Sequence, residues 1–273
     1  MLGNRRYMDR KYQHSFLILP FLLWFFFLIL GPFCLIILTS FFTRDEFGQV
    51  QNIFSLMSYK QLLDPLYFDV FLRTLLLAAS STLLCLFIAY PFAFYLSRLP
   101  KHVANRWIAL IMIPFWTNFL LRILAFMDVL RFEPFGITLV YTNAGVLLAM
   151  LYNYLPFALL PLYSTLEKVD SSILEAAFDL GASKRQIFLK VLWPITRSGV
   201  YAAGLLVFIP SLGEFLIPAI VGGGKNFFLG TFLEHQFLTS HNWPLGSAAI
   251  VFLVLLACTL LPALKNKTKE ALT

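Results

Sequence analysis

Residues 175–194 read EAAFDLGASKRQIFLKVLWP, a charged and helix-forming segment within a chain that is otherwise strongly apolar. Ala176 and Ala177 favour a helix, and their small side chains let another surface approach closely. Gly181 stands where the end of a helix needs a left-handed residue. The segment is therefore predicted to form two short helices joined at a glycine elbow.

Two capping boxes are predicted around this elbow. Ser172 precedes Glu175, and Ser183 precedes Gln186, at the spacing that lets each pair satisfy free N–H groups at a helix start. Pro194 is expected to end the second helix near the membrane surface. An ordinary amphipathic connector would show the same features, so these residues alone leave docking and connecting roles open.

The composition excludes a soluble domain. The chain has 59% hydrophobic and only 13% charged residues, and its mean hydropathy is +0.78. Soluble domains carry about a quarter charged residues. The chain is therefore predicted to be an integral membrane protein.

A membrane-spanning helix needs about twenty apolar residues, and six segments of the chain meet this requirement. Prolines inside them predict kinks, which bundles tolerate where neighbouring helices or a cavity satisfy the freed carbonyl groups. The predicted spans are Ser15–Phe42, Asp69–Ser97, Arg106–Leu130, Thr142–Leu166, Ser198–Val221 and Trp243–Leu264.

Lys and Arg residues indicate which side of the membrane each connection faces. They concentrate before the first predicted span, between the second and third, between the fourth and fifth, and after the sixth. Cytoplasmic connections of membrane proteins carry such an excess. Both termini and the 175–194 segment are therefore predicted to be cytoplasmic, and the net charge of +7 needs no nucleic-acid partner to explain it.

The spacing within this segment resembles the EAA loop of ABC-importer permeases, which docks on a cytoplasmic ATPase. Glu175–Ala177 is followed by three residues, Gly181, nine residues and then Val-Leu-Trp-Pro, which ends at Pro194. The family signature has Ile and Leu at the positions of Val191 and Trp193. The resemblance implies that the ATPase-coupling residues are Glu175, Ala176, Ala177, Gly181, Ser183 and Pro194.

Other segments resemble the spermidine/putrescine permease subunits of these importers, over nearly the whole chain from about Ser15 to Leu264. One region departs, because relatives carry a longer outer loop where Arg131–Tyr141 connects the third and fourth spans. The matching segments are Asp64–Phe68, Tyr90–Ala93, Pro114–Asn118, Leu155–Phe157, Pro161–Tyr163 and Gly213–Pro218 with Gly222-Gly223.

This resemblance implies an all-α integral membrane protein with the type I ABC-importer permease (MetI-like) fold. Its single permease domain would cover residues 1–273, with six transmembrane helices and a coupling loop at about residues 167–197. The chain would be a non-enzymatic subunit of a bacterial inner-membrane importer that moves polyamines by alternating access.

The resemblance also implies partners. They are an ABC ATPase dimer that binds ATP and Mg²⁺, a second, non-identical permease subunit, and a periplasmic or surface polyamine-binding protein. The chain itself is expected to bind no cofactor and no nucleic acid.

Two alternatives stay open. The same class of machine could carry another small solute, such as thiamine, a ferric ion or an opine-like compound. A channel or ion-coupled transporter is the other alternative. It would need several charges at membrane depth, and the sequence offers one clear case, Glu214.

Glu214 is the strongest candidate for the substrate pathway. It lies in IPSLGEFLIP, residues 209–218, where proline and glycine are expected to interrupt the fifth span. Broken helices line sites in transporters, and acidic residues at membrane depth are functional by default. A carboxylate there could attract an amine cation. The alternatives are that Glu214 pairs with Arg122 or Arg73, or that it caps a broken helix end.

Trp116 is the second pathway candidate, because an aromatic face can hold an ammonium group. A Trp that packs against lipid or another helix is the competing interpretation. Asn118 lies beside Trp116 and is a candidate with it. The weaker candidates are Tyr152, Asn153 and Tyr154 in the fourth span, and Asp128, which is expected to be a solvated outer charge.

No catalytic or metal-binding residue is predicted. GGGKN at residues 222–226 lacks the spacer and the hydroxyl residue of a phosphate loop. His235 and His241 do not have the spacing of a helical metal pair. The three cysteines lie singly inside apolar runs, which is typical of buried small hydrophobic residues.

Overall fold

The computed structural model describes residues 20–45, 48–132, 136, 138–224 and 227–270. Several features predicted above lie wholly or partly outside these residues. They are both chain termini, the start of the first predicted span, part of the Arg131–Tyr141 connection, and Lys225 with Asn226 of the GGGKN segment.

The described residues form helices and one small sheet. The helices are α1 (Pro20–Thr39), α2 (Met57–Leu62), α3 (Pro65–Ser97), α4 (Lys101–Trp116, whose last turn is a 3₁₀ helix), α5 (Phe119–Arg131), α6 (Asn143–Leu166), α7 (Ser171–Asp179), α8 (Lys184–Leu212), α9 (Leu216–Ile220), α10 (Leu229–Glu234) and α11 (Trp243–Glu270). The strands are β1 (Phe42–Arg44) and β2 (Val50–Phe54).

The chain divides into two compact units. The first holds the described residues up to Asp64 together with His235–Leu260. In it β1 and β2 form an antiparallel hairpin in which Arg44 lies opposite Val50. The Phe41 ring stacks on Phe54, with 5.5 Å between the ring centroids. Aromatic packing therefore orders the connection that follows α1.

The second unit is built on three long helices, α3, α6 and α8, which pack against one another. Many of the residues buried between them are small, such as Ala89 of α3, Ala149 of α6 and Ala203 of α8. Small side chains let helix backbones approach closely, which is how helices associate in a membrane. At Gly199 of α8 the approach is so close that a Cβ would collide with the Thr165 side chain of α6.

Four described helices are long and apolar enough to cross a membrane: α1, α3, α6 and α8. The count becomes five if α4 and α5 form one bent span. The described apolar part of α11, Trp243–Cys258, is shorter than the other four. The predicted count of six spans is therefore not confirmed by length and composition.

The third predicted span, Arg106–Leu130, is wrong as a continuous helix. α4 and α5 meet at an angle of 99°. The chain leaves the helical conformation at Thr117 (ψ 159°). The Asn118 side chain then caps α5 by accepting from the N–H of Leu120 at 2.9 Å. A helix-ending turn at Pro114 and a capping residue four positions later together produce the bend.

The fifth predicted span, Ser198–Val221, is displaced along the sequence. The helix runs from Lys184 to Leu212 and is interrupted at Gly213, as the proline and glycine pattern indicates. The expectation that Pro194 ends a helix is wrong. The backbone forms a π-helical stretch at Phe188–Leu192 and continues, with the Trp193 N–H donating to the Phe188 carbonyl. This wider turn accommodates the proline ring, which would otherwise meet the carbonyl of the preceding turn.

Candidate functional site

The first helix of the 175–194 region, α7, is capped by Asp170. The Asp170 carboxylate accepts from the N–H of Ser172 at 3.0 Å. The predicted box of Ser172 with Glu175 is therefore wrong, because Ser172 already lies inside the helix, whereas Asp170 has the extended backbone that a cap requires. Hydrogen bonds from Ser172 lower the pKa of the Asp170 carboxyl, and the charge of Arg98 adds a smaller effect in the same direction.

Gly181 forms the elbow, and its left-handed conformation is confirmed (φ +79°). The Ala182 N–H donates to the Ala177 carbonyl at 3.1 Å, and the Gly181 N–H donates to Phe178 at 2.9 Å. These two bonds are the Schellman pattern that closes a helix end on a glycine. No atom lies within 4 Å of the position that a Cβ on Gly181 would take, so the backbone conformation rather than crowding requires glycine.

The capping box that starts α8 is confirmed. The Ser183 N–H donates to Oε1 of Gln186 at 2.8 Å, and the Gln186 N–H donates to the Ser183 hydroxyl at 3.4 Å. Between these two caps the elbow projects apolar groups, and Leu180 is 88% exposed. Glu175 and Ala176 are exposed beside it. The elbow therefore offers a mixed polar and apolar surface of the kind that binds another protein.

Two contacts that the sequence did not reveal fix the connection between α6 and α7, which leads into this elbow. Nη1 of Arg98 donates to the Val169 carbonyl at 3.0 Å. Nζ of Lys101 forms an ion pair with Glu167 at 3.3 Å. Both contacts join the α3–α4 connection to the α6–α7 connection. These contacts connect the segment that leads into the elbow with the end of α3 and the start of α4.

A cavity of about 470 Å³ lies behind the elbow. Its walls come from three helices and include Phe94 of α3, Leu174 of α7 and Phe188 of α8. The elbow and α3 are therefore not closely packed against each other at this point.

Glu214 lies in the gap between α8 and α9, and all of its described bonds come from neutral donors. Oε1 accepts from the N–H groups of Leu216 at 3.0 Å and Ile217 at 3.3 Å. Oε2 accepts from the Tyr154 hydroxyl at 2.5 Å. Of the predicted alternatives, the cap on a broken helix end is confirmed.

The alternative in which Glu214 pairs with an arginine is wrong. Arg73 pairs with Asp69 at 2.7 Å, and Arg122 donates to Asn153 at 2.7 Å. Among the described residues, no ion pair includes Glu214. The carboxylate is held by a helix start and a hydroxyl, and its charge is not matched by a cation.

The backbone on the far side of Glu214 is also closely packed. A Cβ on Gly230 would collide with the Glu214 carbonyl, so α10 can begin there only with glycine. Thr74 of α3 fixes this start by accepting from the N–H of Leu229 at 2.7 Å. Close packing at Gly230 and the hydrogen bond to Thr74 therefore fix the backbone beside the gap between α8 and α9.

The remaining predicted pathway residues do not gather around Glu214. Trp116 projects from the α4–α5 bend and is 90% exposed, and Asn118 caps α5. The Tyr152 ring stacks on Phe126, with 4.9 Å between centroids. Asp128 forms an exposed pair with Arg131 at 3.1 Å. The structure brings together Glu214 and Tyr154, which the sequence had offered only as a weaker candidate.

Arg122, which the sequence offered only as a possible partner of Glu214, has other partners in the structure. Its side chain is buried, with 8% of the residue exposed. Nε donates to Oδ1 of Asn153 at 2.7 Å, and Nη1 donates to the Pro114 carbonyl at 3.2 Å. An arginine within an apolar segment is a signal of function at membrane depth, and this signal was present in the sequence.

The described residues contain no group of three His, Cys, Asp or Glu side chains arranged to hold a metal ion.

Residues 81–266 match the family described as the inner membrane component of binding-protein-dependent transport systems. The chain belongs to this family. The matched range contains the elbow at Gly181, the Glu214 gap and Arg122. The chain is therefore a transport subunit rather than an enzyme. It is a multi-pass protein of the inner membrane.

Several curated permeases are similar along most of their length. The spermidine/putrescine transport system permease PotB of Escherichia coli is 39% identical over 245 residues, covering 85% of this chain and 89% of that protein. PotB of Haemophilus influenzae is 36% identical, covering 87% and 88%. The inner membrane ABC transporter permease YdcU of E. coli is 30% identical, covering 88% and 85%.

The fold is also found in a solved structure. A chain of a bacterial ABC transporter that imports the acidic polysaccharide alginate superposes with a TM-score of 0.71. The alignment covers 95% of this chain and 97% of that one at 18% identity. This confirms the predicted ABC-importer permease fold.

Proposed function

We propose that the chain is the permease subunit of an ATP-driven importer of polyamines such as spermidine and putrescine. The observation that carries the substrate class is the Glu214 carboxylate in the gap between α8 and α9. It keeps an unmatched negative charge among neutral donors, in a relative of the PotB permeases. An amine cation is the ligand that such a carboxylate attracts.

The proposed partners follow from the family and from the elbow. The exposed surface around Glu175, Ala176 and Gly181 binds one subunit of an ABC ATPase dimer, which holds ATP and Mg²⁺. A second, non-identical permease subunit completes the pathway, and a periplasmic or surface binding protein delivers the polyamine. Both termini and the elbow face the cytoplasm, where the ATPase is.

The proposed cycle is alternating access. ATP closes the ATPase dimer and displaces the elbow. Arg98 and Lys101 carry this displacement to α3 and α6, because they join the connections of these helices. The pathway then opens towards the binding protein, and ATP hydrolysis restores the inward-facing state. Coupling requires only that the contacts differ between the two states.

In the pathway, an ammonium group of the substrate donates to Glu214 on the side now occupied by the Tyr154 hydroxyl. Trp116 is exposed at the α4–α5 bend and supplies an aromatic face. Attraction of a cation to such a face contributes about 0.5–2 kcal/mol. Glu214 and Trp116 act at separate points along the pathway.

Uptake competition on the assembled complex tests the substrate class. Proteoliposomes take up labelled spermidine, and unlabelled putrescine, thiamine, a ferric chelate or K⁺ is added in excess. We expect putrescine alone to compete. Competition by thiamine or the ferric chelate, or an absence of spermidine uptake by an active complex, would contradict the polyamine assignment.

A further inference from the structure

We propose that Arg122 is a positioning residue that ties the α4–α5 bend to α6, so that this bend and the Glu214 gap move together during transport. The inference rests on the proposed transport function. It concerns how the pathway moves rather than what it carries.

The guanidinium of Arg122 bridges two helices across the bend. It donates to Asn153 of α6 at 2.7 Å and to the Pro114 carbonyl in the last turn of α4 at 3.2 Å. Its central carbon lies 4.7 Å from the Phe115 ring centroid and 5.4 Å from that of Phe119. One side chain thus contacts both arms of the bend and the neighbouring long helix.

A buried cation is an expensive way to build such a contact. None of the ion pairs among the described residues includes Arg122. Neutral acceptors and aromatic faces offset its desolvation only in part. Apolar residues of similar volume would pack here at lower cost. The planar, forked guanidinium supplies a fixed geometry that an apolar side chain cannot, since it bonds two acceptors at once.

The link to Glu214 runs through two successive residues of α6. Asn153 accepts from Arg122 and is itself fixed by donating to the Ala149 carbonyl at 2.8 Å. Tyr154 donates to Glu214 at 2.5 Å. The α4–α5 bend and the gap between α8 and α9 are therefore both hydrogen-bonded to one turn of α6. A movement of this turn displaces both.

The test separates positioning from stability with a matched pair of variants. Arg122→Met leaves the buried Oδ1 of Asn153 without a hydrogen-bond donor. We therefore expect the purified complex to melt at a lower temperature. Arg122→Met combined with Asn153→Leu removes both partners and fills the space with apolar groups, so the melting temperature should recover. The Pro114 carbonyl keeps a bond in both variants, because it also accepts from Thr117.

In the double variant, uptake should stay low although the melting temperature recovers. We expect the double variant to keep wild-type stability while ATP-driven uptake stays reduced by about tenfold. Arg122→Lys should also transport poorly, because an ammonium group keeps the charge but cannot bond both acceptors in the fixed geometry of the guanidinium. Recovery of wild-type uptake in the double variant, or in Arg122→Lys, would show that Arg122 only stabilises the fold.

A second measurement does not depend on the substrate. In a Trp116→Cys complex with Cys34 and Cys258 replaced by alanine, ATP should change the rate at which a maleimide modifies position 116. The double variant should abolish this ATP-dependent change if Arg122 transmits the movement, and an unchanged response would overturn the proposal. Uptake is measured separately, in a complex that keeps Trp116. If that complex takes up no polyamine while the probe complex responds to ATP as expected, the substrate assignment is contradicted and Arg122 keeps its role.

Arg73→Met is the control. Arg73 is also an arginine on a long helix, but its pair with Asp69 lies on the same helix and both side chains are 52% exposed. This variant should retain both uptake and the ATP-dependent change at position 116.

Discussion

Glu214 shows how far single residues can be interpreted from the sequence. Its position between a proline and a glycine indicated a broken helix, and the cap on α9 confirms this. Tyr154 was only a weaker candidate in the sequence, where nothing linked it to Glu214. A tyrosine in an apolar span is ordinary, and only the packing of α6 against α8 brings its hydroxyl to the carboxylate.

The first prediction concerns the charge of Glu214. Glu214→Gln keeps an oxygen to cap α9, so the complex should assemble. The variant loses the charge that binds an amine. A charge-assisted hydrogen bond contributes about 1.5–3 kcal/mol, so the KM for polyamine uptake should rise about tenfold to a hundredfold. Asp128→Asn is the control, because that carboxylate is exposed and paired. An unchanged KM in Glu214→Gln would show that the residue is only a cap.

The second prediction concerns pH at Asp170. The pKa of this carboxyl is lower in the folded chain than in the unfolded chain. Its stabilisation of α7 is therefore complete above the ordinary Asp pKa and is lost as pH falls through the lowered value. Amide hydrogen exchange at the start of α7, corrected for intrinsic rates, should accelerate over that acidic range. Asp170→Asn should cap the helix without this pH dependence, and a matching response in that variant would contradict the assignment.

At the scale of elements, the segment at residues 175–194 was partly predictable. The glycine elbow and the Ser183 box follow from local chemistry, and the structure confirms both. The start of α7 and the continuation of α8 through Pro194 do not follow from it. Asp170 and Ser172 are both good caps, and the backbone path out of α6 decides between them. Pro194 is accommodated by a π-helical stretch that no residue pattern specifies.

The third prediction tests the elbow. Gly181→Val places a β-branched residue at φ +79°, which costs about 1–2 kcal/mol and should displace α7 from the ATPase. ATP hydrolysis should then continue with little uptake. Gly181→Asn is the matched control, because asparagine tolerates the left-handed conformation. Uptake per ATP hydrolysed should be near normal in Gly181→Asn, and equal coupling in the two variants would contradict the role of the elbow.

The fourth prediction concerns helix packing. A Cβ on Gly199 would collide with Thr165, so Gly199→Ala should separate α6 from α8 and destabilise the complex by about 1–3 kcal/mol. Gly204→Ala is the control on the same helix, because its Cβ would lie 3.6 Å from Leu86, an ordinary contact. Thermal melting of the purified complex should separate the two variants. Equal melting temperatures would mean that α6 and α8 can adjust at this crossing.

For the whole molecule, composition and the spacing of one segment were enough to predict an all-α membrane permease, and the family match and the fold of the alginate importer confirm it. The sequence did not show that the third span bends by 99°. Hydropathy is averaged over the whole segment, whereas the bend depends on a single turn between Pro114 and Asn118. The role proposed for Arg122 depends on this bend, so the sequence did not indicate it either.

We infer that this chain moves its substrate only when an ATPase drives it. Uptake of labelled spermidine into proteoliposomes tests this most directly, with the chain reconstituted either in the complete complex or without the ATPase. The complete complex should accumulate spermidine only when ATP is present on the ATPase side, and the preparation without the ATPase should show none under ion gradients of either direction. Uptake without the ATPase would contradict the account and would identify a channel or an ion-coupled transporter.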